Sequence, residues 1–164
     1  MKHLAMTAAA VAAVGTLFAA PSAVAAPGQG AGSAFTPASG ASQQHSASAK
    51  APTAASLAAA YNGACGSGYG VIDSLPISTL GTAYLTYNSS TGKNCVVTVR
   101  ANPGTAMYMA AAIRLAGNSA SEVIDAGNYT TYAGPVYLYA AGKCIDWGGQ
   151  IGSVYNQEFG SHCG

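Results

Sequence analysis

Residues 82–100 read TAYLTYNSSTGKNCVVTVR, and their pattern decides the fold class. Thr82 to Asn88 alternates small or polar residues with apolar ones. Asn94 to Arg100 does the same after a polar loop, Ser89-Ser90-Thr91-Gly92-Lys93. A period of two is the mark of a strand, and two such runs around a Gly-containing loop form an antiparallel hairpin. Centring the hairpin on Thr91 sets Tyr87 opposite Cys95, Leu85 opposite Val97 and Ala83 opposite Val99. That face is apolar and the reverse face is mixed, as a half-buried ribbon requires. In this register Cys95 points to the core and Tyr84 points outward.

The same period continues toward the C-terminus. Val136-Tyr137-Leu138-Tyr139, a turn near Ala141-Gly142, and Cys144-Ile145-Asp146-Trp147 read as a second hairpin. It puts Val136, Leu138, Ile145 and Trp147 on one face, and Tyr137 and Tyr139 on the other with Asp146. A third pair runs from Ile151 through a Gly152-Ser153 turn to Tyr155–Phe159. It sets Cys144 opposite Ser161, two residues short of Cys163. Residues 106–116 (AMYMAAAIRLA) carry helix-favouring side chains. Their apolar residues nevertheless alternate from Met107 to Leu115, so a strand is expected. Asp125–Asn128 reads as a turn into Tyr129–Tyr132. These elements predict a small all-β antiparallel sandwich or barrel of about seven strands.

Upstream of this domain the chain changes character. Met1-Lys2-His3, the uncharged run Thr7–Ala20 and the small-x-small pattern Ala23-Val24-Ala25 form a secretory signal, with cleavage after Ala25. The apolar run is too short to span a bilayer, and no later run is longer. Residues 26–58 are rich in Ala, Ser, Gly and Pro and carry too little apolar bulk to offset an ordering cost of about 1–2 kcal/mol per residue. They read as a disordered linker or pro-segment ahead of the folded part, residues 59–164.

The chain has 164 residues, of which only 7% are charged, and a formal charge of +1. Nucleic-acid binding needs clustered cations, so it is excluded. All 10 tyrosines and all 4 cysteines fall in the folded part. An even cysteine count in an exported chain implies two disulfides. Locality favours Cys65–Cys95 and Cys144–Cys163. By loop entropy, rings of about 31 and 20 residues stabilise by about 3–4 kcal/mol each. No C-x-x-C spacing points to zinc, and neither a metal nor a cofactor is expected.

Catalytic signals are weak. There is no G-x-S-x-G elbow, H-E-x-x-H helix or P-loop. His162 lacks a positioning motif and reads as structural. Asp146 and Glu158 are a conceivable acid pair for glycoside hydrolysis, but five acids in such a domain produce some pair by chance. The stronger chemical signal is a tyrosine-rich surface. Tyr84, Tyr137 and Tyr139, with Trp147 and Asp146, form the candidate binding face, since phenol rings stack on sugars or apolar protein surfaces.

Four stretches carry a family resemblance: YNGACGSGYGVIDSLPI (61–77), GTAYLTYNSSTGKNCVVTVR (81–100), YAGPVYLYAAGKCIDWGG (132–149) and the closing HCG (162–164). Residues 61–164 resemble the spore-associated protein A family of filamentous actinobacteria. The resemblance implies a small secreted protein of the spore or cell surface, with no catalytic residues to carry over. The expected function is non-catalytic attachment to a spore-surface or cell-envelope component, a polysaccharide or a protein. A carbohydrate-binding module and a secreted protease inhibitor are the alternatives.

Overall fold

In the computed structural model the described residues are 60–164 and the two-residue strand β1, Ser42–Gln43. Residues 1–25, expected to be a signal sequence, and residues 26–58 apart from β1, lie outside them. Eight further strands follow: β2 Gly70–Ile77, β3 Gly81–Asn88, β4 Lys93–Arg100, β5 Met107–Leu115, β6 Val123–Tyr129, β7 Tyr132–Tyr139, β8 Ile145–Ile151 and β9 Val154–Ser161. A single short 3-10 turn, Ser119–Ser121, interrupts them. The fold is all-β. One sheet has the order β2-β3-β4-β7 and the other β1-β9-β8-β5-β6. Every pairing is antiparallel except that of β1 with β9. No helix among the described residues is long and apolar enough to cross a membrane.

The β3–β4 hairpin forms one residue out of the expected register. Thr86 lies opposite Cys95, Leu85 opposite Val96 and Thr82 opposite Val99. The loop sets this. Asn88 and Lys93 are the last pair. The Asn88 side chain accepts from Ser90 N and Thr91 N, and its carbonyl accepts from Gly92 N. Gly92 closes the turn at φ +67°, a conformation glycine adopts without steric cost. Four loop residues result, and an odd-numbered loop centred on Thr91 is ruled out. Ala83, Leu85 and Val96 therefore enter the main core, whereas Cys95 and Val97 pack with Tyr84 in a second cluster.

The expected β7–β8 hairpin does not form. Strand β7 pairs with β4 and β8 pairs with β5 and β9, so the chain crosses from one sheet to the other between Ala140 and Cys144. The inside–outside assignment survives because it belongs to each strand and not to its partner. Val136, Ile145 and Trp147 are core, Leu138 packs against them, and Tyr137 and Tyr139 are exposed. Asp125–Asn128 also departs from expectation: it lies inside β6, and the chain reverses at Thr130–Thr131.

The other elements follow their alternation. Strand β5 lies between β6 and β8, with Met109, Ala111 and Ile113 in the core cluster and Met107 packed against it. Strands β8 and β9 pair with Ile151 opposite Val154 and Trp147 opposite Glu158. A bulge then shifts the register so that Ile145 faces Ser161. That extra residue on β9 draws Cys163 toward Cys144, to which it is disulfide-bonded.

Small residues set the approach of the two sheets. A Cβ on Gly149 would sit 2.1 Å from Thr98 Oγ1 and 3.0 Å from Ala83 Cβ, both on the facing sheet. Thr98 is further fixed by donating to Ala110 O at 2.8 Å. Gly149→Ala is therefore expected to force the sheets apart and cost about 1–3 kcal/mol. A denaturant midpoint left unchanged by the substitution would show that the layers can yield there.

Side chains lace both flanks of the sandwich. On the β6–β7 flank the Asp125 carboxylate accepts from Gly134 N at 2.6 Å and from the Tyr129 hydroxyl. That second bond, with burial and the Asp125 charge adding to it, pushes the Tyr129 phenol up to about 12. On the β2–β9 flank Asn156 Nδ2 donates to Pro76 O at 2.9 Å, and His162 meets Asp73.

Candidate functional site

The outer face of the β2-β3-β4-β7 sheet carries the tyrosines, and part of it is already covered. Residues 61–69 fold over it as a strap. Cys65 is disulfide-bonded to Cys95, the third residue of β4. Cys65 N donates to the Tyr61 hydroxyl at 2.7 Å, and the Tyr137 hydroxyl donates to Cys65 O at 3.2 Å. Tyr61 packs against Tyr84, with ring centroids 5.8 Å apart, and Tyr69 meets Tyr137 edge-on at 5.5 Å. Burial pushes the Tyr61 and Tyr137 phenols above their usual range. Both stay neutral hydrogen-bonding groups.

This geometry divides the candidate residues. Tyr84 is 4% exposed and lies beneath the strap, so it leaves the candidate surface. Trp147 is fully buried in the main core and leaves it too. Asp146 is buried, accepting from Arg114 Nε at 2.8 Å and Gly160 N at 2.9 Å. Tyr137 is 38% exposed and Tyr139 is 58% exposed. Tyr139 lies against Gly92, where an added Cβ would stand 2.7 Å from Cε2 of the ring. The structure adds Tyr132, also exposed, at the other end of β7. The sequence pattern could not separate Tyr84 from the β7 rings. Both alternate outward, and only the strap makes the difference.

A second constellation occupies the β2–β9 flank. Asp73 on β2 faces inward at the sheet edge and meets the end of β9. Its Oδ2 is 3.0 Å from His162 Nε2. Glu158 joins them, so that one donor atom from each of the three residues lies within 4.8 Å of the others. Glu158 is the cross-strand neighbour of Trp147, whose ring meets His162 edge-on at 6.3 Å. Burial pushes the Glu158 carboxyl up and the Asp73 charge adds to this, while His162 and the Trp147 N–H oppose it. A cleft of about 280 Å³ opens beside His162, lined also by Ile72, Tyr87, Asn94, Ala140 and Gly142. His162 adopts φ +53°, a left-handed conformation uncommon for residues other than glycine, at the point where the chain turns to Cys163. Asp73 carries no local signal in the sequence. It reaches its partners only through the β2–β9 contact.

Spore-associated protein A of Streptomyces coelicolor is 53% identical to this chain over 110 residues, which cover 67% of this chain and 71% of that protein. The chain belongs to the spore-associated protein A family. No protein-family model and no solved structure matches it. The relative's name associates it with spores and states no reaction. In this member of the spore-associated protein A family, the β7 tyrosine face is exposed and the Asp73–Glu158–His162 seam is half-buried.

Proposed function

We propose that this protein is exported and attaches, without catalysing a reaction, to the spore or cell envelope through the outer face of β7. The exposure of Tyr139 beside Tyr137, on a strand held rigid by its pairing with β4, carries this reading. Two flat rings two residues apart on one strand face offer stacking surface and hydroxyls to a polysaccharide or a protein surface. Kinship with a spore-associated protein supports the location, and two disulfides fit an oxidising exterior. The non-catalytic part is supported by Asp146. It is committed to Arg114 and to the Gly160 backbone, so it is not free to pair with Glu158 as an acid.

The test is adsorption of the purified protein to spores. Low charge predicts that moderate salt releases little and that detergent or competing glycan releases more. Tyr139→Ala is the clean variant, because the Tyr137 hydroxyl also anchors the strap. Its retention is expected to fall about fivefold to tenfold, the worth of one aromatic contact. Complete release by salt alone, or unchanged retention of Tyr139→Ala, would overturn the reading.

A further inference from the structure

We propose that Asp73, Glu158 and His162 form a binding site for one divalent first-row transition cation, zinc-like in its ligand preference, that clasps β2 to β9. Three observations carry it. The donor set is one imidazole and two carboxylates, the mixture that suits such ions; imidazole disfavours calcium and magnesium. The spacing is close to what an ion needs. Ligands about 2.1 Å from a common centre stand about 3.0–3.4 Å apart, and the Asp73–His162 contact is already 3.0 Å. All three donor atoms lie within 4.8 Å of one another, and binding would draw the wider separations in.

The third observation is independent of the cluster's own charges. Trp147 Nε1 is fully buried and faces the Glu158 carboxylate across the strand pair, but it reaches good hydrogen-bonding geometry with no acceptor among the described residues. A buried N–H without an acceptor costs about 1–3 kcal/mol. With one Glu158 oxygen on the ion, the carboxylate is held in place and its other oxygen is the acceptor for this N–H, the usual outer-shell support of a ligating carboxylate. The charge balance points the same way. The charged groups acting on Glu158 are Asp73 and His162, with no Lys or Arg among them. Two carboxylates thus share a half-buried seam with only an imidazole to oppose them. His162 and Asp73 side chains are 26% and 37% exposed, so an ion and its remaining waters have access from solvent.

The experiment titrates the oxidised, full-length exported protein with cobalt(II), reading its visible absorption, and then displaces it with zinc. One saturable equivalent at micromolar cobalt is expected, displaced by zinc and not by a large excess of calcium. Zinc should also raise the thermal midpoint. Glu158→Gln and His162→Gln are each expected to weaken binding about 100-fold. His162 adjoins a disulfide, so Asp73→Asn on the distant strand β2 supplies a second, independent variant with the same expected loss. Circular dichroism confirms that each is folded. Failure to saturate, retention of wild-type affinity by Asp73→Asn and Glu158→Gln, equal affinity for calcium, or binding that requires reduction of the cysteines would each overturn the proposal.

Discussion

Replacing Cys65 and Cys95 together by alanine is expected to lower the unfolding free energy by about 3–4 kcal/mol, the chain-entropy value for a ring of about 31 residues. The bond joins residues 30 apart and fastens a loop with little else to hold it. Cys65 in the strap and Tyr84, Thr86, Cys95 and Val97 beneath it are buried; Tyr61, Ala64, Tyr69, Val71 and Val99 pack around them partly buried. Without the disulfide the strap keeps the Tyr61 and Tyr137 hydrogen bonds to Cys65, each worth about 1 kcal/mol. Ordering a residue costs about 1–2 kcal/mol, so those bonds do not hold nine residues in place. The strap should open before the sandwich does. Limited proteolysis then cuts between residues 61 and 69 in the variant and not in the parent, and Tyr84 becomes accessible to solvent. The exposed β7 rings proposed to contact the envelope should respond as well, because Tyr137 loses both the Cys65 carbonyl and the Tyr69 ring that orient it. A variant with an unchanged midpoint and a protease-resistant strap would show that the second cluster holds without its disulfide.

This behaviour also explains which parts of the molecule were legible from sequence. Alternation reports which residues share a strand face, and it did so for Val136, Tyr137, Leu138 and Tyr139 and for Met107 to Ile113. It does not report which strand is the neighbour. The Ala140–Cys144 segment is short enough for a hairpin, yet it carries the chain between sheets. The preference is set by core residues far apart in sequence, such as Trp147 packing with Leu85 and Val96. Register is similarly non-local to the alternation. One residue of loop length, fixed by the Asn88 side chain, moved Cys95 from the core face to the strap face. The exposed rings of β7 were visible as candidates, whereas the burial of Tyr84 and Trp147 was not, since hydropathy pattern contains no record of what covers a face. The Asp73–Glu158–His162 seam was least visible. Glu158 drew notice as a conceivable acid partner of Asp146 and His162 as a lone structural histidine, but their shared partner lies 89 positions before His162 and becomes a neighbour only when β2 and β9 close the flank.

Asp146 brings packing, charge and the seam together, and Asp146→Ala is expected to cost about 3–5 kcal/mol, the penalty for removing one partner of a buried ion pair. Its side chain is 4% exposed and that of Arg114 is 18% exposed, so solvent screens the pair weakly. The loss is uneven. Arg114 keeps Glu122 at 3.9 Å, a looser contact that does not replace the Nε–Oδ2 bond of 2.8 Å. Gly160 N, in contrast, loses the carboxylate that holds it at the bulge, where the backbone runs at φ +60°. Two residues later the chain must present His162 to Asp73, and one residue beyond that Cys163 must reach Cys144. The disulfide keeps the chain end attached, so the bulge should loosen without detaching, and the His162–Asp73 contact should be the first to go. Asp146→Asn retains an acceptor for Gly160 N while removing the charge opposite Arg114, so its cost should be clearly smaller. Denaturant midpoints order the two variants, and histidine proton resonances report whether His162 still senses Asp73. If Asp146→Asn and Asp146→Ala were equally and only slightly destabilised, the carboxylate would be a spectator in the fold. If both remained fully stable yet abolished a measured hydrolytic activity, Asp146 would be a catalytic group, and the structural role argued from Arg114 and Gly160 would be wrong.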